Sequence, residues 1–130
     1  KLRIGLIEEE FNELKAAIKD KDFTEVRDAI ADLLYVTYGT ASSFGIQADE
    51  DYDIVHKSNM TKLCQTEEIA QETVEWYKQN KNMVYDSPQY RRADDGIHWV
   101  VYNESTGKIL KSIHYKEVQF RPQVFEPESE

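Results

Sequence analysis

Between Phe23 and Phe44 the apolar residues fall on too many sides for a helix with one dry face. Val26, Ile30 and Leu33 recur at helical spacing, and Thr37 continues the stripe less strongly. Ala29, Val36 and Thr40 extend it on one side, while Leu34, Tyr38 and Ala41 widen it on the other. A helix of such girth must be covered on several faces, by a core or by a second copy of the chain. A chain of 130 residues buries a core of its own, though not a generous one. The expectation is therefore a mainly α-helical bundle completed by oligomerisation, as a homodimer or tetramer.

The preceding segment, "IEEEFNELKAAI", reads as a first helix with Ile7, Phe11, Leu14 and Ile18 on one stripe. At about 100° per residue, Glu10 lies beside that stripe, Glu13 one step further round, and Glu9 nearly opposite it. "KDKD" at 19–22 ends the helix, and Asp22 with Glu25 has the spacing of a capping box that opens the next one. Two helices so closely joined are expected to pack as an antiparallel hairpin.

One sector of the second helix is acidic. Glu25, Asp28 and Asp32 fall within about 60° of each other on its surface. If the two acidic sectors face each other, Glu10 and Glu13 meet Asp28 and Asp32 across one groove. Four carboxylates in a partly buried groove cannot all stay ionised without a counter-charge. Mg²⁺, with Mn²⁺ as a second choice, prefers carboxylate oxygen and keeps positions open for water and phosphate. The plain alternative is a solvated acidic face, with Glu25 serving only the helix cap.

The rest of the chain carries fewer constraints. Residues 48–63 read as a third helix and 65–80 as a fourth, with Thr66 as its N-cap and Ile69, Thr73, Trp76 and Tyr77 on one face. Residues 81–96, with Pro88 and "RRADDG", read as a loop. "IHWVVYN" and "ILKSIHY" read as two short strands around "ESTGK", a small C-terminal β-hairpin, and the tail "FRPQVFEPESE" as extended or frayed. Trp76, Trp99 and Tyr102 are expected more as core than as a stacking surface for a base.

A formal charge of −9 argues against a partner that is a nucleic acid polymer. It leaves room for a phosphorylated ligand, because a bound cation reverses the local sign. The lone Cys64 fits a reducing compartment, and no apolar run is long enough for a membrane span. A cytoplasmic protein is the expectation. The sequence begins at Lys1 rather than methionine, so a trimmed N-terminus is expected too.

Several blocks together resemble a family. "EEEFNEL" contains E-E-x-x-E as Glu9, Glu10 and Glu13, and "EVRDAIADLLYVTYGTA" is similar to the second-helix block of the MazG-like, all-α NTP pyrophosphohydrolases. "VHKSNMTKL" and "GKILK" resemble the His-x-x-Asn-Met-x-Lys-Leu and Gly-Lys-x-x-Lys blocks of the phosphoribosyl-ATP-pyrophosphohydrolase-like branch. In the second motif Asp32 fills the aspartate position, whereas Ala29 stands where the family has glutamate. Glu25 and Asp28 form an E-x-x-D one turn earlier, and either is a candidate for the missing ligand.

The resemblance implies a single nucleotide pyrophosphohydrolase domain over residues 1–130, with 65–106 an insertion plus the first hairpin strand. It implies Mg²⁺ held by Glu10, Glu13, Asp32 and Asp28, with Glu9 or Glu10 orienting or deprotonating the water. It also implies that Asn59, Lys62, Lys108 and Lys111 contact the phosphates or ribose of the substrate. The expected reaction cuts a nucleoside triphosphate between its α- and β-phosphates. Within the superfamily the alternatives are dUTP/dUDP and phosphoribosyl-ATP hydrolysis; outside it, a non-catalytic helical interaction module.

Overall fold

The computed structural model describes residues 2–80 and 85–122. They fold mainly as helix, in the order α1 (Leu2–Lys19), α2 (Phe23–Ser43), α3 (Ala48–Met60) and α4 (Glu67–Gln79). Three strands follow, β1 (Pro88–Arg92), β2 (Trp99–Asn103) and β3 (Ile109–Leu110). The chain divides into two compact units, one of residues 1–50 and 121–130 and one of residues 51–120.

In the first unit α1 and α2 form the expected helical hairpin. Lys21 turns the chain with a positive φ of 55°, and the Asp22 and Lys21 amides donate to the carbonyls of Ala17 and Ile18, at 3.1 Å each. That pattern closes the end of α1 as a Schellman motif. Asp22 then caps α2 by accepting from the Glu25 amide at 3.2 Å. Only this half of the expected capping box forms, because the Asp22 amide is already committed to Ala17. Gly45, at φ 71°, closes the other end of α2 with the same hydrogen-bond pattern.

The stripe expected on α1 is displaced. Phe11 and Ile18 stand exposed, while Ala17 is buried and Arg3, Ile7, Glu10 and Leu14 are half-buried. The helix packs on α2 along the line Arg3–Glu10–Ala17, so Glu10 sits in the middle of the contact rather than at its margin. Close approach on the α2 side comes from the small residues Ala29 and Gly39; a Cβ added at Gly39 would meet the Arg3 guanidinium at 3.1 Å. The far side of α2 shows Ile30, Leu34 and Tyr38 to solvent.

The second unit has a core of Cys64, Ala70, Val74, Tyr77, Val101 and Leu110, with Ile69, Tyr85, Tyr90 and Trp99 packed around it. Helix α3 ends at Met60, three residues short of the expectation, and Thr61, Lys62 and Leu63 make tight i→i+3 turns instead. The turn brings Cys64 alongside Trp99, which it pairs through two backbone hydrogen bonds of 2.7 and 2.8 Å. Thr66 caps α4 as expected. Trp76 departs from expectation: α4 buries Ala70, Thr73, Val74 and Tyr77, and leaves Trp76 exposed. Trp99 and Tyr102 are half-buried.

The expected hairpin is the β2–β3 part of a three-stranded antiparallel sheet of order β1-β2-β3. Its turn uses Gly107 at φ 75°. Strand β1 lies inside the segment read as a loop; it pairs in register with β2, Tyr90 opposite Val101. Pro88 is tolerated because it is the first residue of an edge strand. Asp95 ties the β1–β2 connection by accepting from the amides of Ile97 and His98, which holds its carboxyl at about 2. Strand β3 is only two residues long, since the Ser112 amide turns away to the Lys62 carbonyl. Residues 81–84 of the expected loop and 123–130 of the expected tail lie outside the described residues.

Candidate functional site

The helical hairpin brings the acidic sectors together. Glu10 and Glu13 of α1 and Asp32 of α2 place carboxylate oxygens within 4.8 Å of one another, a geometry that could hold a metal ion. Glu10 and Asp32 are half-buried and Glu13 is exposed, so the group opens to solvent on one side. Asp28 lies near enough to Asp32 for its charge to raise the pKa of that carboxyl. A cleft of about 330 Å³ continues along the hairpin, lined by Glu13, Asp20, Asp22, Glu25 and Asp28 among others.

Electrostatics mark this cluster as strained when no cation is present. Desolvation, then a hydrogen bond and charge repulsion from Glu13, with Asp32 and Glu9 adding to it, raise the pKa of Glu10. Repulsion from Asp28 comes first for Asp32, followed by desolvation and Glu13, and the direction is again upward. Two carboxyls hydrogen-bonded to each other must share a proton, unless a cation takes its place. One atom completes the argument. Glu10 Oε2 is buried and accepts no hydrogen bond. An unsatisfied buried oxygen is costly, and a hard cation is the partner that carboxylate chemistry supplies best.

Glu9 is exposed and adjoins this group along α1. Between the two candidates for the family's missing glutamate, Asp28 is the one that reaches Asp32, while Glu25 supplies its amide to the Asp22 cap and lines the cleft. Sequence reasoning passed over Arg3, which packs against Gly39 two turns from Glu10 on the same face of α1. The seven-residue spacing from Arg3 to Glu10 was a signal available in the sequence.

The polar candidates expected to contact substrate belong to the second unit. Asn59 is exposed near the end of α3. Lys62 lies beyond the end of α3, in the following turn, its carbonyl bonded to the Ser112 amide at 3.0 Å. That bond sets Lys62 beside the segment carrying Lys111, whose ammonium lies 4.5 Å from the centre of the Tyr115 ring. Lys108 projects separately, 5.4 Å from the centre of the Tyr85 ring. No helix among the described residues is long and apolar enough to cross a membrane.

Comparison with known proteins agrees with the hairpin. The chain is 35% identical over 113 residues to an uncharacterized protein of Acanthamoeba polyphaga mimivirus, an alignment covering 87% of this chain and 45% of that relative. The chain thus spans less than half the length of the relative it matches. No solved structure matches it. Residues 1–59, which carry all four clustered carboxylates, match phosphoribosyl-ATP pyrophosphohydrolase. Over these residues the chain is similar to the phosphoribosyl-ATP pyrophosphohydrolase family, part of the MazG-like all-α NTP pyrophosphohydrolase superfamily.

Proposed function

We propose that the chain is a divalent-metal-dependent nucleotide pyrophosphohydrolase that cuts a nucleoside triphosphate between its α- and β-phosphates. The observation that carries this reading is the orphaned Glu10 Oε2 amid carboxylates within 4.8 Å, on the segment that matches the family. Glu10, Glu13, Asp32 and Asp28 would hold Mg²⁺ or Mn²⁺. The ion, when bound, supplies positive charge that offsets the triphosphate and favours hydroxide over water.

The remaining work falls to side chains. Glu9 or Glu10 orients the water and takes its proton as its oxygen attacks the α-phosphorus; the α–β anhydride bond breaks, leaving a nucleoside monophosphate and pyrophosphate. Asn59, Lys62, Lys108 and Lys111 are proposed to contact phosphate or ribose. Residues 65–106 are proposed as an insertion into a single functional domain. The exposed Ile30, Leu34 and Tyr38 support a homodimer or tetramer, and the lone Cys64 supports a cytoplasmic setting.

Pyrophosphate release over a panel of NTPs and dNTPs with Mg²⁺ tests the reading. At least one substrate should be turned over, and a chelator should stop it. If no substrate reacts, and calorimetry finds no metal-dependent nucleotide binding, the reading falls to the helical interaction module.

A further inference from the structure

The second unit holds a cleft that the acidic hairpin does not explain. It encloses about 340 Å³ and is lined by Trp76, Tyr77, Lys111, Ser112, Ile113 and Tyr115. That volume lies at the small end of ligand pockets, which run from about 300 to 1,000 Å³. Trp76 is its most informative wall. The helix bearing it buries its neighbours Thr73, Val74 and Tyr77, yet leaves Trp76 44% exposed. Tyr77 meets that indole edge-on, at 4.9 Å and 87°. Ile113, 39% exposed, is a further apolar surface beside it.

Charge gives the cleft a direction. Lys111 holds its ammonium over Tyr115, and among the described residues no carboxylate forms an ion pair with it. The Tyr77 hydroxyl donates to the Lys111 carbonyl at 2.6 Å, which fixes the backbone from which that lysine projects. The other side of Trp76 differs: there the indole and Ile113 share a second cleft with Glu68, Gln71, Glu72, Glu75 and Gln79. An anion is favoured on the Lys111 side and repelled from the Glu72–Glu75 side. Stacking on an aromatic side chain tolerates any base, and the flanking charge sets the orientation.

We infer that the cleft between Trp76 and Lys111 is a nucleotide-binding site in which the indole stacks the base and Lys111 takes the phosphate. The inference rests on the nucleotide reading above for its ligand, and adds a base-recognition surface from the segment that has no counterpart in the family pattern.

The test titrates the full chain, in chelator, with AMP, CMP, GMP and UMP, and separately with inorganic phosphate. Binding is followed by calorimetry and by the two indole N–H resonances, of which Trp76's is identified by its loss in Trp76→Leu. At least one monophosphate should bind and shift the Trp76 resonance. Trp76→Leu and Lys111→Gln should each weaken it about tenfold or more at unchanged melting temperature. Should Trp76→Leu fail to fold, Lys111→Gln is read by the same two signals. Binding of no monophosphate, or binding that survives both substitutions, overturns the inference. If triphosphates are hydrolysed but no monophosphate binds through Trp76, the inference falls while the hydrolase stands. If monophosphates bind through Trp76 but no triphosphate is hydrolysed, the site stands and the hydrolase falls.

Discussion

The two units use their residues in opposite ways. In the first, the buried side chains among those described are Ala17 and Ala29, and a half-buried glutamate occupies the middle of the helix contact. Ile18, Phe23, Leu34 and Tyr35 are left outside. The second unit buries Cys64, Val74, Tyr77, Val101 and Leu110 together, and a chain of backbone bonds from Cys64 to Trp99 ties its helices to the sheet. The second is stabilised by its own core. The first spends its contact face on carboxylates and its outer face on apolar surface, so under the proposed function its stability would come from a cation in the groove and a second copy outside.

The largest expected effects test that contrast directly. Leu110, 2% exposed, should cost about 2–5 kcal/mol when cut to alanine, read by chemical denaturation. Leu34, 54% exposed, is more than half open to solvent in a single chain, so Leu34→Ala in a monomer should change stability far less, by about 0.5 kcal/mol. In the proposed oligomer Leu34→Glu should instead lower the mass seen by light scattering and the melting temperature together. A parent that is already monomeric at micromolar concentration, with a melt indifferent to Leu34→Glu, breaks the comparison for the outer face.

The groove comes next. Glu10→Gln should lower kcat/KM at least a hundredfold, about 2.7 kcal/mol of transition-state stabilisation. In chelator it should leave stability unchanged or raise it, because it removes one of the crowded charges. Mg²⁺ should stabilise the parent by about 2.7 kcal/mol at a hundred times Kd, and the variant much less. Coincident melts of parent and variant, with Mg²⁺ and with chelator, would return the glutamates to a solvated face.

Acid should separate the units further. Ionised Glu10 and Asp32 weaken the metal-free fold, since their folded pKa values are raised. That cost is present at neutral pH, fades as pH falls through the raised values, and is gone below the ordinary 4.5 and 3.8. Asp95 does the opposite. Its folded pKa of about 2 stabilises above the ordinary 3.8 and is lost as pH falls from there through 2. Asp86, lowered mainly by hydrogen bonds from Ser105 and Asn103, acts in the same sense. In chelator, amide exchange should therefore show α1 and α2 gaining protection on mild acidification, while the sheet turns lose it at lower pH. Parallel loss in both units would show that the carboxylates of the hairpin do not crowd one another.

How far the sequence revealed this follows from the range of each interaction. The hairpin, the Asp22 cap of α2, the Thr66 cap of α4, and the grouping of Glu10 and Glu13 with Asp32 depend on contacts between near neighbours, and spacing displayed them. The face that α1 presents to α2 was not legible. Periodicity favoured Phe11 and Ile18, but the observed contact follows the small residues Ala17, Ala29 and Gly39, which let the backbones approach. Strand β1 was hidden because Pro88 and two arginines read as loop; its pairing with β2 is not expressed in local composition. Trp76 was misplaced for a similar reason, since a large aromatic on an amphipathic helix reads as core until the packed side is known.

The smallest effect compares the two ends of α2's neighbourhood. Lys21 and Gly45 both occupy the left-handed position of a Schellman motif, with φ of 55° and 71°. The hydrogen bonds match: Asp22 and Lys21 donate to Ala17 and Ile18 as Ile46 and Gly45 donate to Ala41 and Ser42. Only the side chain differs. A Cβ in this conformation meets the following carbonyl, a strain of about 1 kcal/mol that glycine escapes. Glycine gives part of that back through the larger entropy of its unfolded chain. Lys21→Gly should therefore stabilise the hairpin by about 0.5 kcal/mol, and Gly45→Lys should destabilise by a similar or larger amount. Because Lys21 lies outside the carboxylate group, Lys21→Gly should raise the melting temperature equally in chelator and in Mg²⁺, and leave kcat unchanged. A gain that appears in only one of those two conditions would mean that the turn and the metal groove are coupled, and that Lys21 does more than close a helix.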